Sequence, residues 1–153
     1  MKAMKNIWMV LLAITVSVSA TACEYDDDFR EINFFEKNHP AVMQALQARY
    51  PGAKVVDADF DDGYAELEII DNRTRRDVWI TIDGVWKRTQ TDLRSWDLPT
   101  VIREAIDASA YASYRIDDVD YIETPDQAFY QIEFEKNNRP DGSLRISPTG
   151  QVL

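Results

Sequence analysis

The densest group of reactive side chains is the run Asp57-Ala58-Asp59-Phe60-Asp61-Asp62-Gly63, which Glu66 and Glu68 follow closely. Carboxylates so clustered are ligands that Ca²⁺ prefers, and paired carboxylates also catalyse glycoside hydrolysis. The run does not fit an EF-hand, because its glycine falls at position 7 of the loop, whereas an EF-hand needs glycine at position 6. A looser calcium or small-ligand site on these carboxylates stays open as an alternative.

Other catalytic and metal-binding groups are scarce. The chain contains one His and one Cys, so His39 has no second His or Cys with which to share a metal. The sequence has no GxSxG, P-loop, HExxH or CxxC pattern. A flat strand face also lacks the desolvated pocket that raises the pKa of a catalytic acid. We therefore predict a protein that is not an enzyme and that holds no cofactor and no metal.

Residues 1–22 have the composition of a removable export signal. Lys2 and Lys5 precede an apolar run, residues 7–20, which is shorter than the about 20 residues of a membrane span. The sequence Ala20-Thr21-Ala22-Cys23 resembles the lipobox of bacterial lipoproteins, which implies cleavage before Cys23 and acylation of its thiol. We predict a lipoprotein of the bacterial outer membrane, facing the periplasm or the cell surface, with a lipid as its only contact with the membrane.

The chain beyond this leader is strongly acidic. Lys2 and Lys5 are the only charged residues of the leader, so 15 of the 17 basic side chains remain against 27 acidic ones, a formal charge of −12. This excess argues against a nucleic-acid partner, whose phosphates need Lys and Arg. The acidic residues directly after Cys23 resemble the surface-export signal of Bacteroidetes lipoproteins, or form a solvated tether. We place the lipidated Cys and tether at residues 23–37.

The rest of the chain repeats one pattern, over residues 38–92 and 97–153. Each half has Pro two residues after a capping residue, Asn38 or Asp97, which predicts helices over residues 40–50 and 99–110. Alternating strands and Asp-Gly turns follow in both halves. We predict one α+β domain, residues 38–153, in which two helix-plus-β-meander halves form one antiparallel sheet with both helices on one face.

Two local motifs accompany the tandem halves: Tyr50-Pro51-Gly52-Ala53-Lys54-Val55-Val56 and the turn Asp83-Gly84-Val85-Trp86. Together they resemble the PepSY-like periplasmic proteins of Bacteroidetes, a family similar in fold to the beta-lactamase inhibitor protein. The resemblance covers about residues 38–153 and implies no catalytic residues. PepSY domains are associated with the restraint of peptidases, so the resemblance also implies a protein-binding or inhibitory role as a hypothesis, although fold alone does not determine function.

Hairpin geometry predicts which strand residues share a face. A two-residue turn at Asp62-Gly63 pairs Val56 with Ile69 beneath the helices and Asp61 with Tyr64 on the face away from them. Asp57 then lies opposite Glu68, and Asp59 opposite Glu66. The acidic strip, as we call the carboxylates on this outer face, consists of Asp57, Asp59, Asp61, Glu66 and Glu68. Such a strip is commonly only solvated, but it can also steer a basic partner.

A two-residue turn at Asp83-Gly84 likewise pairs Ile82 with Val85 inside and Trp86 with Thr81 outside. It also pairs Trp79 with Arg88 on the outer face, in a row with Asp57 and Glu68. A bulge at this turn would direct Trp86 inward, so the prediction is firmer for Trp79. Because Trp, Tyr and Arg dominate protein-binding hot spots, the candidate partner-binding residues are Trp79, Trp86, Arg88 and Tyr64.

These features predict a non-catalytic envelope lipoprotein that recognises a protein or peptide, of basic character, through the open face of its sheet. The alternative is the binding of a small ligand or a divalent cation such as calcium on the acidic strip.

Overall fold

A computed structural model describes residues 32–138 and 140–153, without the side chain of Asp61. The predicted leader, Cys23 and the acidic segment after it lie outside these residues. The helices are α1 (residues 32–38), α2 (Pro40–Arg49), α3 (Thr100–Asp107) and a 3₁₀ turn (Ser95–Asp97). The strands are β1 (Lys54–Asp61), β2 (Tyr64–Asp71), β3 (Thr74–Thr81), β4 (Trp86–Asp92), β5 (Arg115–Glu123), β6 (Ala128–Glu135) and β7 (Gly142–Ile146). Within the described ranges, each helix is too short or too polar to cross a membrane.

The seven strands form one antiparallel sheet in chain order. The strands β1–β4 are the meander of the first half and β5–β7 that of the second. The two halves join along β4 and β5, where residues 89–92 pair with residues 120–123. The predicted α+β architecture, with two halves and a single sheet, is confirmed.

Both long helices pack on the same face of the sheet, because apolar side chains alternate along the strands beneath them. Val42 and Leu46 of α2 are fully buried in the first core cluster, over Ala65, Leu67, Ile69, Val78 and Ile80. Ile102 and Ile106 of α3 belong to the second cluster, over Val119, Ile132, Phe134 and Ile146. We call this side of the sheet the helix face and the opposite side the open face.

The domain begins before residue 38. Residues 32–38 are helical, and Phe35 is 7% exposed within the first core cluster. The ring of His39 lies 4.7 Å from that of Phe35 and 5.7 Å from that of Phe60, measured between ring centres. The prediction of a tether is therefore wrong over residues 32–37. One buried aromatic side chain, Phe35, docks this short helix on the domain although charged residues surround it in the sequence.

Neither predicted capping residue caps its helix. The helix α2 follows His39 and α3 follows Pro99. The side chain of Asn38 instead donates to the carbonyl of Phe34 at 2.6 Å. Asp97 lies in the 3₁₀ turn, where it accepts a hydrogen bond from Arg94.

The last turn of each half repeats the same hydrogen bonds. The Thr81 N–H donates to the Val85 carbonyl at 2.9 Å, and the Gly84 N–H donates to the Thr81 carbonyl at 2.8 Å. Ser147 and Gly150 make the equivalent two bonds at 2.8 and 2.9 Å. This agreement supports the tandem repeat in atomic detail.

The glycines of these two turns lie against the first turns of the helices. Gly84 and Gly150 have φ values of +87° and +88°. A Cβ on Gly84 would lie 2.8 Å from the carbonyl oxygen of Ala41, and a Cβ on Gly150 would lie 2.6 Å from Cγ2 of Val101. Each turn therefore fixes the start of its helix against the sheet, and only glycine fits there.

Candidate functional site

The register of β1 and β2 places the acidic strip on the open face. Asp57 lies opposite Glu68, and Asp59 lies opposite Glu66, as predicted. Val55, not Val56, lies opposite Ile69, because a bulge between residues 55 and 57 shifts the register of the edge strand. The turn at Asp62-Gly63 therefore fixes the register only as far as that bulge.

In the next hairpin, β2 with β3, the observed register differs from the predicted register by two residues. Asn72 and Arg73 both have left-handed φ values, +48° and +71°, and form a two-residue turn. Trp79 consequently lies opposite Glu66, whereas the sequence-based prediction placed it in the row of Glu68. Asn is common in such turns but Arg is not, which is why the sequence did not indicate this one.

Trp79 and Arg88 lie opposite each other on the open face, as predicted. The guanidinium carbon of Arg88 is 4.6 Å from the centre of the Trp79 ring. The row that crosses the sheet at this level therefore runs Asp59, Glu66, Trp79, Arg88. Tyr64, in the adjoining row, is 39% exposed.

Trp86 lies on the helix face, so its predicted place on the open face is wrong. It pairs with Ile80, and the register shifts by one residue before Arg88 pairs with Trp79. The turn is one residue longer than predicted, which leaves Ile82 and Val85 at the surface, 53% and 47% exposed, instead of facing inward. The register shift between Trp79 and Ile80 is a bulge, and it restores the predicted pairing of Trp79 with Arg88.

On the helix face, Trp86 has a structural environment. Its indole N–H donates to Oγ1 of Thr89 at 3.0 Å, and the hydroxyls of Thr89 and Tyr50 lie 2.7 Å apart. The guanidinium carbon of Arg49 lies 3.4 Å from the centre of the Trp86 ring. These contacts hold the ring within the first half, so Trp86 does not belong to the open face with Trp79.

Local partners already engage part of the acidic strip. Glu68 forms an ion pair with Arg75. Asp57 and Asp59 each accept a hydrogen bond from the following backbone N–H, at 2.9 and 2.6 Å. Glu66 has no ion pair with any described residue, and the side chain of Asp61 is outside the description.

The acidic character extends further across the open face than the strip. The sheet register adds Asp77, Asp92, Asp118, Asp120 and Glu133. The place of Asp77 could have been predicted, because it alternates with Trp79. The other positions depend on the pairing of β4 with β5, which no local pattern in the sequence indicates.

Asp92 and Asp120 lie directly opposite each other where the two halves join. Asp120 is only 6% exposed. Burial, the charge of Asp118, and the hydrogen bond and charge of Asp92 together raise the pKa of Asp120 to about 6, although donation from Gln90 acts in the other direction. Burial and the charge of Asp92 also raise the pKa of Asp77.

A chain of contacts joins this carboxyl pair to Trp79. The side-chain N–H of Gln90 donates to Oδ1 of Asp120 at 3.0 Å. Arg88 donates in turn to the side-chain oxygen of Gln90, and Arg88 is stacked on Trp79. The buried carboxyl of Asp120 and the half-buried ring of Trp79 thus belong to one connected arrangement.

The centre of the open face also contains apolar side chains. Ile122 and Phe129 face each other across β5 and β6 and are 4% and 6% exposed. The guanidinium of Arg145 lies 5.2 Å from the centre of the Phe129 ring. Because both side chains are almost fully covered, they support the face from within and offer little apolar surface to a partner.

The described residues bring no group of three His, Cys, Asp or Glu side chains close enough to hold a metal ion.

Comparison with known proteins gives consistent matches to one family. Residues 54–153 match the family "Putative beta-lactamase-inhibitor-like, PepSY-like". No curated protein matches the chain.

Three solved structures from Bacteroides are similar. A "BLIP-like protein" from Bacteroides fragilis is 25% identical with a TM-score of 0.69, over 74% of this chain and 82% of its own. A DUF2874 family protein from Bacteroides ovatus is 30% identical with a TM-score of 0.67, over 74% and 82%. A structure of "putative periplasmic proteins" from Bacteroides eggerthii is 27% identical with a TM-score of 0.64, over 74% and 84%.

Proposed function

Since the chain belongs to the beta-lactamase-inhibitor-like, PepSY-like family, we propose that it is a non-catalytic protein of the periplasm that recognises another protein or a peptide through its open face. Inhibition of the bound partner is one form that this recognition can take. The same proposal includes a lipid anchor on Cys23 and an outer-membrane location, facing either the periplasm or the cell surface.

The observation that carries the proposal is the Trp79 ring, with Arg88 beside it, on a face that no described helix covers. Trp and Arg are the residue types that most often supply binding energy at interfaces. Their row continues into Asp59 and Glu66, and Glu66 has no ion pair with any described residue. Carboxylates in this position favour a partner with basic side chains and speed its approach.

The alternative of calcium binding on the acidic strip has less support. Glu68 is paired with Arg75, and the carboxyls of Asp57 and Asp59 accept bonds from their own strand. The described residues also hold no metal-binding group. Calcium that did bind would raise the melting temperature by mass action, and EDTA would reverse the rise.

The decisive experiment compares two tryptophans that are both stacked with arginine. A partner captured from the bacterial envelope is purified, and its affinity is measured for the wild-type chain, Trp79→Ala and Trp96→Ala. Trp96 is 69% exposed with Arg94 at 5.2 Å, but it lies in the 3₁₀ turn and not on the open face.

We expect Trp79→Ala to weaken binding by about 30-fold, a typical hot-spot loss, while Trp96→Ala leaves the affinity within about twofold. Equal affinities for all three proteins would show that Trp79 is structural and would reject recognition through this face.

A further inference from the structure

We infer that a proton held between Asp92 and Asp120 controls how firmly Arg88 is stacked on Trp79, and therefore when the open face can bind a cationic segment of a partner. The inference rests on the proposed function and adds a regulation to the same site. It begins from the position of the two carboxyls, which face each other across β4 and β5.

Two carboxyls that face each other do not both ionise readily, because like charges repel, and the burial of Asp120 further disfavours its charge. Asp120 is 6% exposed and hydrogen-bonds to Asp92, which requires a proton between them. Near pH 5 Asp120 therefore keeps its proton. Above about pH 6 it loses the proton and adds a negative charge at this position.

The groups around the pair come from each neighbouring strand and from the loop after β4. They are Asp118 on β5, Arg75 and Asp77 on β3, Arg88 on β4, Arg94 in the loop, Glu133 on β6 and Arg145 on β7. Arg75 is already paired with Glu68, and Arg145 donates to Gln131 at 3.2 Å.

Arg88 is thus connected to the pair by two hydrogen bonds: it donates to Gln90, and Gln90 donates to Asp120. When the shared proton leaves, the second negative charge attracts the Arg88 guanidinium along this connection and away from Trp79. The exposed ring and the added charge both favour a lysine or arginine side chain of a partner. Loss of the proton therefore switches the face to its binding form.

The size of the effect follows from the fraction of molecules in the binding form. With a transition near pH 6, about one molecule in ten has lost the shared proton at pH 5. The affinity for a cationic segment at pH 5 is then about tenfold weaker than at pH 7.5.

The first test needs no partner. The indole N–H signal of Trp79 is followed by NMR from pH 4.5 to 8 in the wild type, in Asp120→Asn and in the matched control Asp117→Asn. Asp117 lies on the same strand but pairs with Arg115 at 3.0 Å, so its replacement removes one charge without touching the pair.

We expect a transition with a midpoint near pH 6 in the wild type and in Asp117→Asn, and none in Asp120→Asn. A Trp79 signal that does not change between pH 5 and 7, or that changes equally in Asp120→Asn, overturns the inference.

The second test uses a labelled octalysine peptide at constant ionic strength, with binding measured by fluorescence anisotropy at pH 5 and 7.5. We expect about tenfold tighter binding at pH 7.5 in the wild type and no such gain in Asp120→Asn. Binding that depends on Trp79 but not on pH overturns the inference and leaves the proposed function standing. A third outcome is that Trp79 shows a transition near pH 6, but Trp79→Ala binds the peptide as tightly as the wild type. This outcome rejects the recognition site and leaves the proton control of Trp79 standing.

Discussion

The buried carboxyl of Asp120 makes the stability of the folded protein depend on pH. Its pKa is about 6 in the folded chain against 3.8 in the unfolded one. Between these values the folded state holds a proton that the unfolded state has lost, so stability is greatest at low pH and falls as pH rises through 6. We expect Asp120→Asn to raise the free energy of unfolding by about 1 kcal/mol at pH 7.5, after allowance for solvent screening.

Urea denaturation at pH 4, 5, 6 and 7.5 measures this difference. The gain of Asp120→Asn should disappear at pH 4, where the wild-type carboxyl is protonated in the folded state and half protonated in the unfolded state. Asp117→Asn serves as the control, because its exposed carboxyl should change stability by less than about 0.5 kcal/mol. A variant Asp120→Asn that is less stable than the wild type at pH 7.5 would contradict the prediction.

The two tryptophans of the first half should differ in their contribution to stability. Trp86 packs against the first core cluster and donates to Thr89, so Trp86→Ala should cost about 2–4 kcal/mol. Trp79 lies on the open face with Arg88, so Trp79→Ala should cost less than about 1 kcal/mol. Urea unfolding of both variants checks the assignment of faces, and equal losses would place both rings in the core.

At the scale of elements, the glycine turns that hold the helices can be tested against a free turn. Gly84, Gly150 and Gly63 all have φ values between +83° and +88°, but a Cβ on Gly63 meets nothing within 4 Å. Gly63→Ala should therefore cost only the left-handed backbone strain, about 1 kcal/mol. Gly84→Ala and Gly150→Ala should cost at least about 1 kcal/mol more, because the added methyl displaces the start of α2 or α3. Thermal or urea unfolding of the three variants decides, and equal costs would mean that the helix contacts are unimportant.

Sequence patterns predicted the elements best where one local signal was strong. The turn at Asp62-Gly63, between two alternating runs, placed Asp59 opposite Glu66. At Asp83-Gly84 the predicted pairing of Trp79 with Arg88 is found because a longer turn and a bulge offset each other. The turn at Asn72 and Arg73 lacks glycine, so the row of Trp79 was misplaced by two residues. A bulge inserts one residue without a local sequence signature, which is why Val56 and Trp86 were assigned to the wrong faces.

At the scale of the whole molecule, the functional site could be predicted only in part. Trp79, Arg88 and the acidic strip follow from alternation within the first half. The pair Asp92 and Asp120 requires knowledge that β4 pairs with β5, a contact between two repeats that hairpin rules do not reach. Asp120, with its raised pKa, thus lies at a position whose strand pairing the sequence does not indicate.

The same junction should make the two halves unfold as one unit. The sheet is continuous across β4 and β5, and Arg49 of α2 reaches Glu123 of β5 at 3.4 Å. Leu67→Ala, which empties a fully buried position of the first half, should cost about 2–5 kcal/mol. In native-state hydrogen exchange, the protection of the Ile132 amide in the second half should fall by the same free energy as that of Val78 in the first. A loss confined to Val78 would show that the halves unfold separately, and the β4–β5 ladder would then be a hinge between two domains.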